Sequence, residues 1–336
     1  MRLSQSLLIL SITKQYKFPA NSSKRYLSHI NGIRNGKVVL KHENRPNLLL
    51  KQLKYSFSSM SSTQDLDVFY DTVLNLVKKA GELINEKISS RSKLIEMKSG
   101  DIDLVTETDQ QVEKLLIDGL SNQFPDHKFI GEESVAGGSQ CILTDAPTWI
   151  IDPIDGTMNF VHSFPHSCVS IALFVNQKPE IGIIYNPMLN QLFTARKGKG
   201  AFLNGSSIKV SEKTNFSEAL IMMEFGTSRD QDKLNVVHEN QKILMSQVHG
   251  LRALGSAALD MAMVACGAAD AYFEYGIHIW DIAAGELIVT EAGGVVMDPS
   301  GGEIDRFSRR VLVAGTQEIA EKLVKNLVQF HPTPRD

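Results

Sequence analysis

Residues 149–157 read WIIDPIDGT, an apolar run that gives way to two aspartates, a proline, a glycine and a threonine. The apolar part has the character of a short buried strand. Asp152 ends it, Pro153 fixes the backbone direction, and Asp155 follows closely enough for both carboxylates to point into the same space. Gly156 permits a tight turn and exposes backbone N–H groups, and Thr157 is placed to cap a helix that starts there. Such a helix N-terminus beside two carboxylates suits phosphate on the donors and Mg²⁺ on the oxygens. Alone, the stretch also reads as an ordinary Asp-rich turn with a capping threonine.

Three further acidic motifs weigh against the ordinary turn. GEES at 131–134 follows Phe129 and Ile130 and places Glu132 at a strand end. WDIAAGE at 280–286 places Asp281 after a strand and at the opening of a helix. DLVTETDQ at 103–110 contributes Asp109. Singly, each reads as a solvated surface or a helix cap. Together they are four acidic motifs at element boundaries, the requirement of an oxygen-only metal site. Histidine and cysteine do not cluster with them, which disfavours zinc and favours Mg²⁺.

Around these motifs the chain alternates helical and strand patterns. From Asp65 a helical face recurs through Phe69, Val73, Leu76, Val77, Ala80 and Ile84. A loop with Lys98, Ser99 and Gly100 leads to a second helix through Val112, Leu115, Leu116 and Leu120, its start marked by Thr108 and Asp109. After DPIDG come strands at Cys168–Val175, Glu180–Tyr185, Gln191–Arg196 and Ser207–Val210. Their connections are too short for parallel crossovers, so an antiparallel meander is expected. A helix at Ala257–Cys266, a strand at Ala271–Tyr275, and helices at Ala283–Ala292 and Thr316–Phe330 complete a layered α and β protein.

The 336 residues are 43% hydrophobic and 22% charged, a globular composition that excludes a disordered, collagenous or coiled-coil chain. The net charge of −3 is unevenly spread: residues 1–60 hold eleven Lys/Arg and one acid, Glu43, leaving the remainder at −13. An acidic body without a basic stripe argues against a nucleic-acid partner, and no apolar run is long enough to span a membrane. Cys141, Cys168 and Cys266 are far apart and odd in number, so they read as free thiols. The basic, Ser-rich residues 1–60 read as an N-terminal extension with three alternatives. They suit an organellar presequence or a short signal-peptide core, or they lie upstream of translation starting at Met60. Residues 61–336 form the expected catalytic domain, with the cytoplasm as its expected location and mitochondria the alternative if residues 1–60 direct import.

GEES, WIIDPIDGTMNFVH (149–162) and WDIAAGELIVTEAGG (280–294) resemble the three signatures of the inositol monophosphatase family, in order and at the expected separation. DLVTETDQ, TARKGKGAFLNG (194–205) and YFEYGIHIWD (272–281) are similar to further stretches of that family. The resemblance covers the chain from Asp65 to Phe330. It implies an α/β layered fold, a five-layer αβαβα sandwich of the inositol monophosphatase / fructose-1,6-bisphosphatase type, as a homodimer. It also implies Mg²⁺-dependent hydrolysis of inositol monophosphates to myo-inositol and phosphate, serving inositol recycling and phosphatidylinositol signalling, with inhibition by Li⁺.

By position, the resemblance gives Glu132, Asp152, the carbonyl of Ile154, Asp155 and Asp281 to the metals. Thr157 and Glu132 would orient the attacking water, with Asp109 fixing Thr157. Gly156 and Thr157 would hold the phosphate. Asp155, Gly255, Ser256, Ala257, Glu274 and Asp281 would surround the inositol ring. Two positions depart from the pattern: Thr227 reaches a ring-contacting position only through a one-residue length change, and Ser256 stands where threonine is common. His278 is expected to be a structural hydrogen-bonding residue. The competing readings are a phosphatase for another small ester, such as a sugar phosphate or a phosphoadenosine nucleotide, and an inactive binding homologue.

Overall fold

A computed structural model describes residues 65–89 and 106–336 with their side chains. The expectations for residues 1–60 lie outside the residues described with side chains; of the expected loop, Lys98 and Ser99 instead end a strand, Ile95–Ser99, paired antiparallel with Asp103–Thr106, and Gly100 lies outside the described residues. Leu66–Asp336 is one compact unit.

The unit opens with helix α1 (Pro46–Ser90), described from residue 65, and α2 (Glu107–Gln123). Strand β1 (Lys128–Gly131), the short α3 (Glu132–Ala136), β2 (Thr148–Asp155) and α4 (Thr157–His162) follow. The meander then runs through β3 (Cys168–Val175), β4 (Lys178–Asn186), β5 (Gln191–Arg196), β6 (Ala201–Leu203) and β7 (Ser206–Ile208). These strands form one seven-stranded sheet of order β7-β6-β5-β4-β3-β2-β1, antiparallel except for the parallel β1–β2 pair.

A second, five-stranded sheet has the order β9-β8-β10-β12-β11. Its strands are β8 (Leu220–Met223), β9 (Gly250–Arg252), β10 (Ala271–Tyr275), β11 (Val295–Met297) and β12 (Arg310–Ala314). The helices around it are α5 (Gln231–Met245), α6 (Ala257–Ala265), α7 (Ile279–Glu291) and α8 (Gln317–Asn326).

Side-chain alternation along the strands builds the layers. Trp149, Ile151, Val169, Ile171, Leu173, Ile181 and Ile183 face α1 and α2, where Val73, Val77, Ala80, Ile84, Val112, Leu116 and Leu120 meet them. The alternate residues Ile150, Ala172, Phe174, Ile184 and Phe193 pack on α6 and α7, whose far side rests on Met222, Tyr272, Val311 and Val313 of the second sheet. The outer face of that sheet, with Ile221, Phe273, Tyr275 and Leu312, is covered by Val237 and Leu244 of α5 and by Ile319 and Leu323 of α8. The layers run αβαβα, as the resemblance implies.

Several expected boundaries move for local reasons. Helix α2 begins at Glu107 because Thr106 is its N-cap and Asp109 closes a capping box from the N3 position. Thr157 is the first residue of α4 and Gly156, at φ 85°, takes the cap position. Helix α7 starts at Ile279, earlier than Ala283, under a His278 cap. Helix α8 stops at Asn326 because Val328 leaves it to pair with the Asn240 side chain, donating to Oδ1 (2.7 Å) and accepting from Nδ2 (2.9 Å). Strands β8, β9, β11 and β12 and helix α5 were not expected from the sequence pattern.

The central layer is set by close contact between β4 and α7. At Gly182 an added Cβ would stand 2.7 Å from the carbonyl oxygen of Ala284. Backbone on both sides leaves little room to yield. We expect Gly182→Ala to destabilise the unit by about 1–3 kcal/mol, as overpacking does. The urea midpoint measures this, and an unchanged midpoint would contradict the contact.

Candidate metal centre

The acidic motifs converge at the C-terminal end of β2. Asp152 and Asp155 come from the end of β2, and Asp281 from the first turn of α7. Each offers a carboxylate oxygen, all within 4.8 Å of one another. Glu132, the first residue of α3, borders the same space: its charge acts on Asp152, Asp155 and Asp281 alike. Burial, then the charges of Glu132, Asp155 and Asp281, push the Asp152 carboxyl well above the ordinary range. Burial likewise raises Asp281 well above it, and lifts Asp155 to about 6 despite hydrogen bonds that favour its charged form.

Two of the three carboxylates are anchored through one oxygen. Asp155 Oδ2 accepts from Ser256 Oγ (2.5 Å) and the Ala258 N–H (2.8 Å), so the N-terminus of α6 holds it. Asp281 Oδ2 accepts from the His278 N–H (2.6 Å) and closes the capping box of α7. Asp152 is 2% exposed, and its Oδ1 finds no hydrogen-bond donor. A buried carboxylate oxygen without a partner is costly, and the neighbours that act on Asp152 are all carboxylates. A hard divalent cation satisfies both conditions, and the donor set is all oxygen.

Thr157 stands beside the cluster with its hydroxyl turned inward. Its Oγ1 donates toward Asp109 Oδ1 (3.2 Å) or the Ile154 carbonyl (3.1 Å). Asp109 is 1% exposed, and its Oδ2 accepts from the N–H of Thr106 (2.9 Å) and from the Thr106 hydroxyl. With its single proton committed to either acceptor, Thr157 Oγ1 keeps lone pairs for another donor. The turn at Gly156 packs on the loop before α6, where an added Cβ would meet the Gly255 carbonyl at 2.9 Å. Asn159 Nδ2 ties the same loop down, donating to the carbonyls of His166 (2.7 Å) and Leu254 (2.6 Å).

Of the other expected site residues, Ser256 and Ala257 are buried at the start of α6, and Gly255 is exposed just before it. Glu274 is buried at the fourth position of β10, and Thr227 is exposed. His278 holds no place in the cluster: its ring stacks on Trp280 (4.6 Å, 7°), Nδ1 meets Asp336 Oδ1 (2.5 Å), and Nε2 meets Arg309 Nη2 (3.1 Å).

The sequence of residues 65–331 matches the inositol monophosphatase family. The chain belongs to the inositol monophosphatase family. It is 49% identical over 267 residues to inositol monophosphatase 1 of Homo sapiens, covering 79% of this chain and 96% of that protein. Among solved structures, the extragenic suppressor protein suhB from Bartonella henselae superposes with a TM-score of 0.70 at 33% identity, covering 78% of this chain and 99% of that one. The IMPase of Thermotoga maritima gives 0.68 at 34% identity, covering 77% and 96%. Inositol monophosphatases form a family of metal-dependent phosphatases, and the acidic cluster of this chain has the composition such an enzyme requires.

Two acidic residues that shape this inositol monophosphatase site were not singled out in the sequence. Glu224 follows the apolar run of β8, the same strand-end signal that marked Asp152, and its Oε1 accepts from the N–H groups of Leu254 (2.5 Å) and Gly255 (2.8 Å). Glu113 of α2 is 4% exposed and accepts from the N–H groups of Glu133 and Ser134, both at 2.8 Å. A Cβ on Gly131 would stand 2.6 Å from that carboxylate. Glu113 therefore fixes the turn that presents Glu132, yet the sequence shows it only as a charge beside an apolar helix face.

We expect Glu113→Ala to raise the half-saturating concentration of divalent cation about 10- to 100-fold, the usual cost of losing a supporting partner. Titration calorimetry with Mn²⁺ reads this directly. An unchanged affinity would show that Glu132 is positioned without it.

Proposed function

We propose that this protein is a phosphoric monoester hydrolase that converts inositol monophosphates to myo-inositol and phosphate with Mg²⁺. The observation that carries the reading is the unpartnered Asp152 Oδ1 inside a triplet of carboxylates, with the Thr157–Asp109 pair alongside. Glu132, Asp152, the Ile154 carbonyl, Asp155 and Asp281 would hold Mg²⁺. When bound there, Mg²⁺ supplies charge neutralisation and makes a water molecule acidic enough to act as a nucleophile.

The rest of the chemistry belongs to this chain's own groups. Thr157 Oγ1 accepts a hydrogen bond from the attacking water, because its own O–H is committed to Asp109 Oδ1 or the Ile154 carbonyl. Glu132 accepts the second hydrogen bond of that water, and the two acceptors together aim its lone pair at phosphorus. The N–H groups of Gly156 and Thr157 hold phosphate oxygens. The water oxygen bonds to phosphorus and gives up a proton to Glu132, while the ester oxygen leaves with the electron pair of the broken bond and takes up a proton from solvent, so that the products are the free hydroxyl and phosphate. Asp155, Gly255, Ser256, Ala257, Glu274 and Asp281 surround the polyol.

The proposed assembly is a homodimer. Phe164 is 47% and Leu189 50% exposed, and Asn186 links their loops by bonding the Pro165 carbonyl (3.1 Å) and the Leu189 N–H (3.2 Å). Light scattering on Phe164→Asp/Leu189→Asp tests this spot: we expect the dimer to dissociate, and a mass equal to wild type would exclude it. Among the described residues no helix is long and apolar enough to cross a membrane. The proposed location is the cytoplasm, with import into mitochondria as the alternative tied to residues 1–60.

The decisive assay is phosphate release by the full chain from myo-inositol 1-phosphate, fructose 1,6-bisphosphate and 3′-phosphoadenosine 5′-phosphate, with Mg²⁺ or with EDTA. We expect Mg²⁺-dependent, Li⁺-sensitive turnover of the inositol ester. Preference for another ester would move the substrate assignment, and no turnover of any would favour a binding role. Asp152→Asn should cut turnover at least ~100-fold, the scale for losing a preorganised charge, without lowering stability in EDTA. Near-normal turnover would refute the site.

A further inference from the structure

Lys233 occupies an unusual position that the metal centre does not explain. It lies in the first turn of α5 and is 1% exposed, rare for a lysine without a partner. Its backbone N–H donates to Asp230 Oδ1 (2.8 Å), but its ammonium forms no hydrogen bond or direct ion pair with a described residue. The ammonium reaches the space left open by two glycines: a methyl on either Gly226 or Gly276 would stand 2.8 Å from Nζ.

The same point at Gly226 is 3.1 Å from Glu274 Oε1. Glu274 is 5% exposed, and its other oxygen, Oε2, accepts from Tyr272 Oη (2.5 Å). Ammonium and carboxylate thus face each other across a gap that neither closes. The ammonium has only donors, the carboxylate only acceptors, and a hydroxyl has both. A hydroxyl oxygen entering beside Gly226 accepts from Lys233 and donates to Glu274. Each member of the pair favours the charge of the other against burial: burial and Glu224 push the Glu274 carboxyl up to about 8 while Lys233 draws it down, and burial lowers the Lys233 ammonium while Glu274 raises it.

We propose that Lys233 is a specificity-determining residue, which with Glu274 clamps one hydroxyl of the substrate's polyol. The site then favours phosphate esters of polyols over esters whose skeleton carries no hydroxyl there. This inference rests on the phosphatase reading and deepens it by naming the group that reads the alcohol.

The test compares full-length wild type, Lys233→Met, Glu274→Gln and the double variant on myo-inositol 1-phosphate and on phenyl phosphate, which has no hydroxyl. Lys233→Met is expected to raise KM for the inositol ester about 10- to 100-fold, the scale of one charged hydrogen bond. Its kcat should stay within about 3-fold, its phenyl phosphate kinetics should not change, and the double variant should be no worse than the poorer single one. Equal losses on both esters, an unchanged inositol KM, or additive losses would overturn the clamp. If Lys233→Met does not fold, the comparison of the two esters with Lys233→Arg and Glu274→Gln decides in the same way.

Failure of the underlying reading is separable. Wild type that hydrolyses phenyl phosphate and ignores the inositol ester contradicts the clamp and keeps the phosphatase. Wild type inactive on both refutes the phosphatase, and the thermal midpoint with Mg²⁺ and myo-inositol 1-phosphate then decides the clamp. A rise in wild type that Lys233→Met loses supports it; equal shifts, or none, overturn it.

Discussion

Asp152, Asp155 and Asp281 are held within 4.8 Å of one another, and their burial and mutual repulsion work against that proximity. Much of the surrounding architecture opposes their separation. The α6 N-terminus grips Asp155 through Ser256 and Ala258, and the α7 capping box grips Asp281 through His278. One oxygen of each is thereby fixed to backbone or hydroxyl, and the other stays available to a cation. Asp152 has no such compensation at Oδ1, which makes it the group most dependent on what enters the site.

The layered fold makes this convergence feasible. Strand β2 runs buried through the sheet and delivers its two aspartates at its C-terminal end, while α6 and α7 lie directly against that sheet in the central layer. The start of each helix therefore meets the end of the strand. Helices α2 and α4 complete the arrangement from the other face through the Thr106–Asp109–Thr157 chain of hydrogen bonds. The second sheet carries Glu274 in β10 and Glu224 just after β8. Asp152 and Asp155 come from the first sheet and Glu274 from the second, and on the proposed reading this separates handling of phosphate from reading of the polyol.

How far the sequence revealed this depended on whether the signal was local. Asp152, Asp155 and Asp281 were legible because each ends or begins an element with a strong apolar pattern. The meander was legible because its turns are short and its strands alternate. Of the second sheet only β10 was, at Ala271–Tyr275, since β9 and β11 are only three residues long and too short to show a period. Helix α5 is largely polar, with Val237 and Leu244 among its few buried apolar residues. The start of α2 was misplaced because Thr106, Thr108 and Asp109 are all capping types, and only geometry shows which one caps. Glu113 and Lys233 lie against groups 18 to 43 residues away, at Gly131, Glu133, Gly276 and Glu274, and no local pattern announces such pairs.

The central claim is that these carboxylates bind divalent cations. Mn²⁺ shares the oxygen preference of Mg²⁺ and scatters anomalously, so a crystal of the protein soaked in Mn²⁺ tests the claim most directly. The account predicts anomalous density between Asp152, Asp155 and Asp281, within coordination distance of Asp152 Oδ1. Density confined to other positions, or none at saturating Mn²⁺, would contradict it.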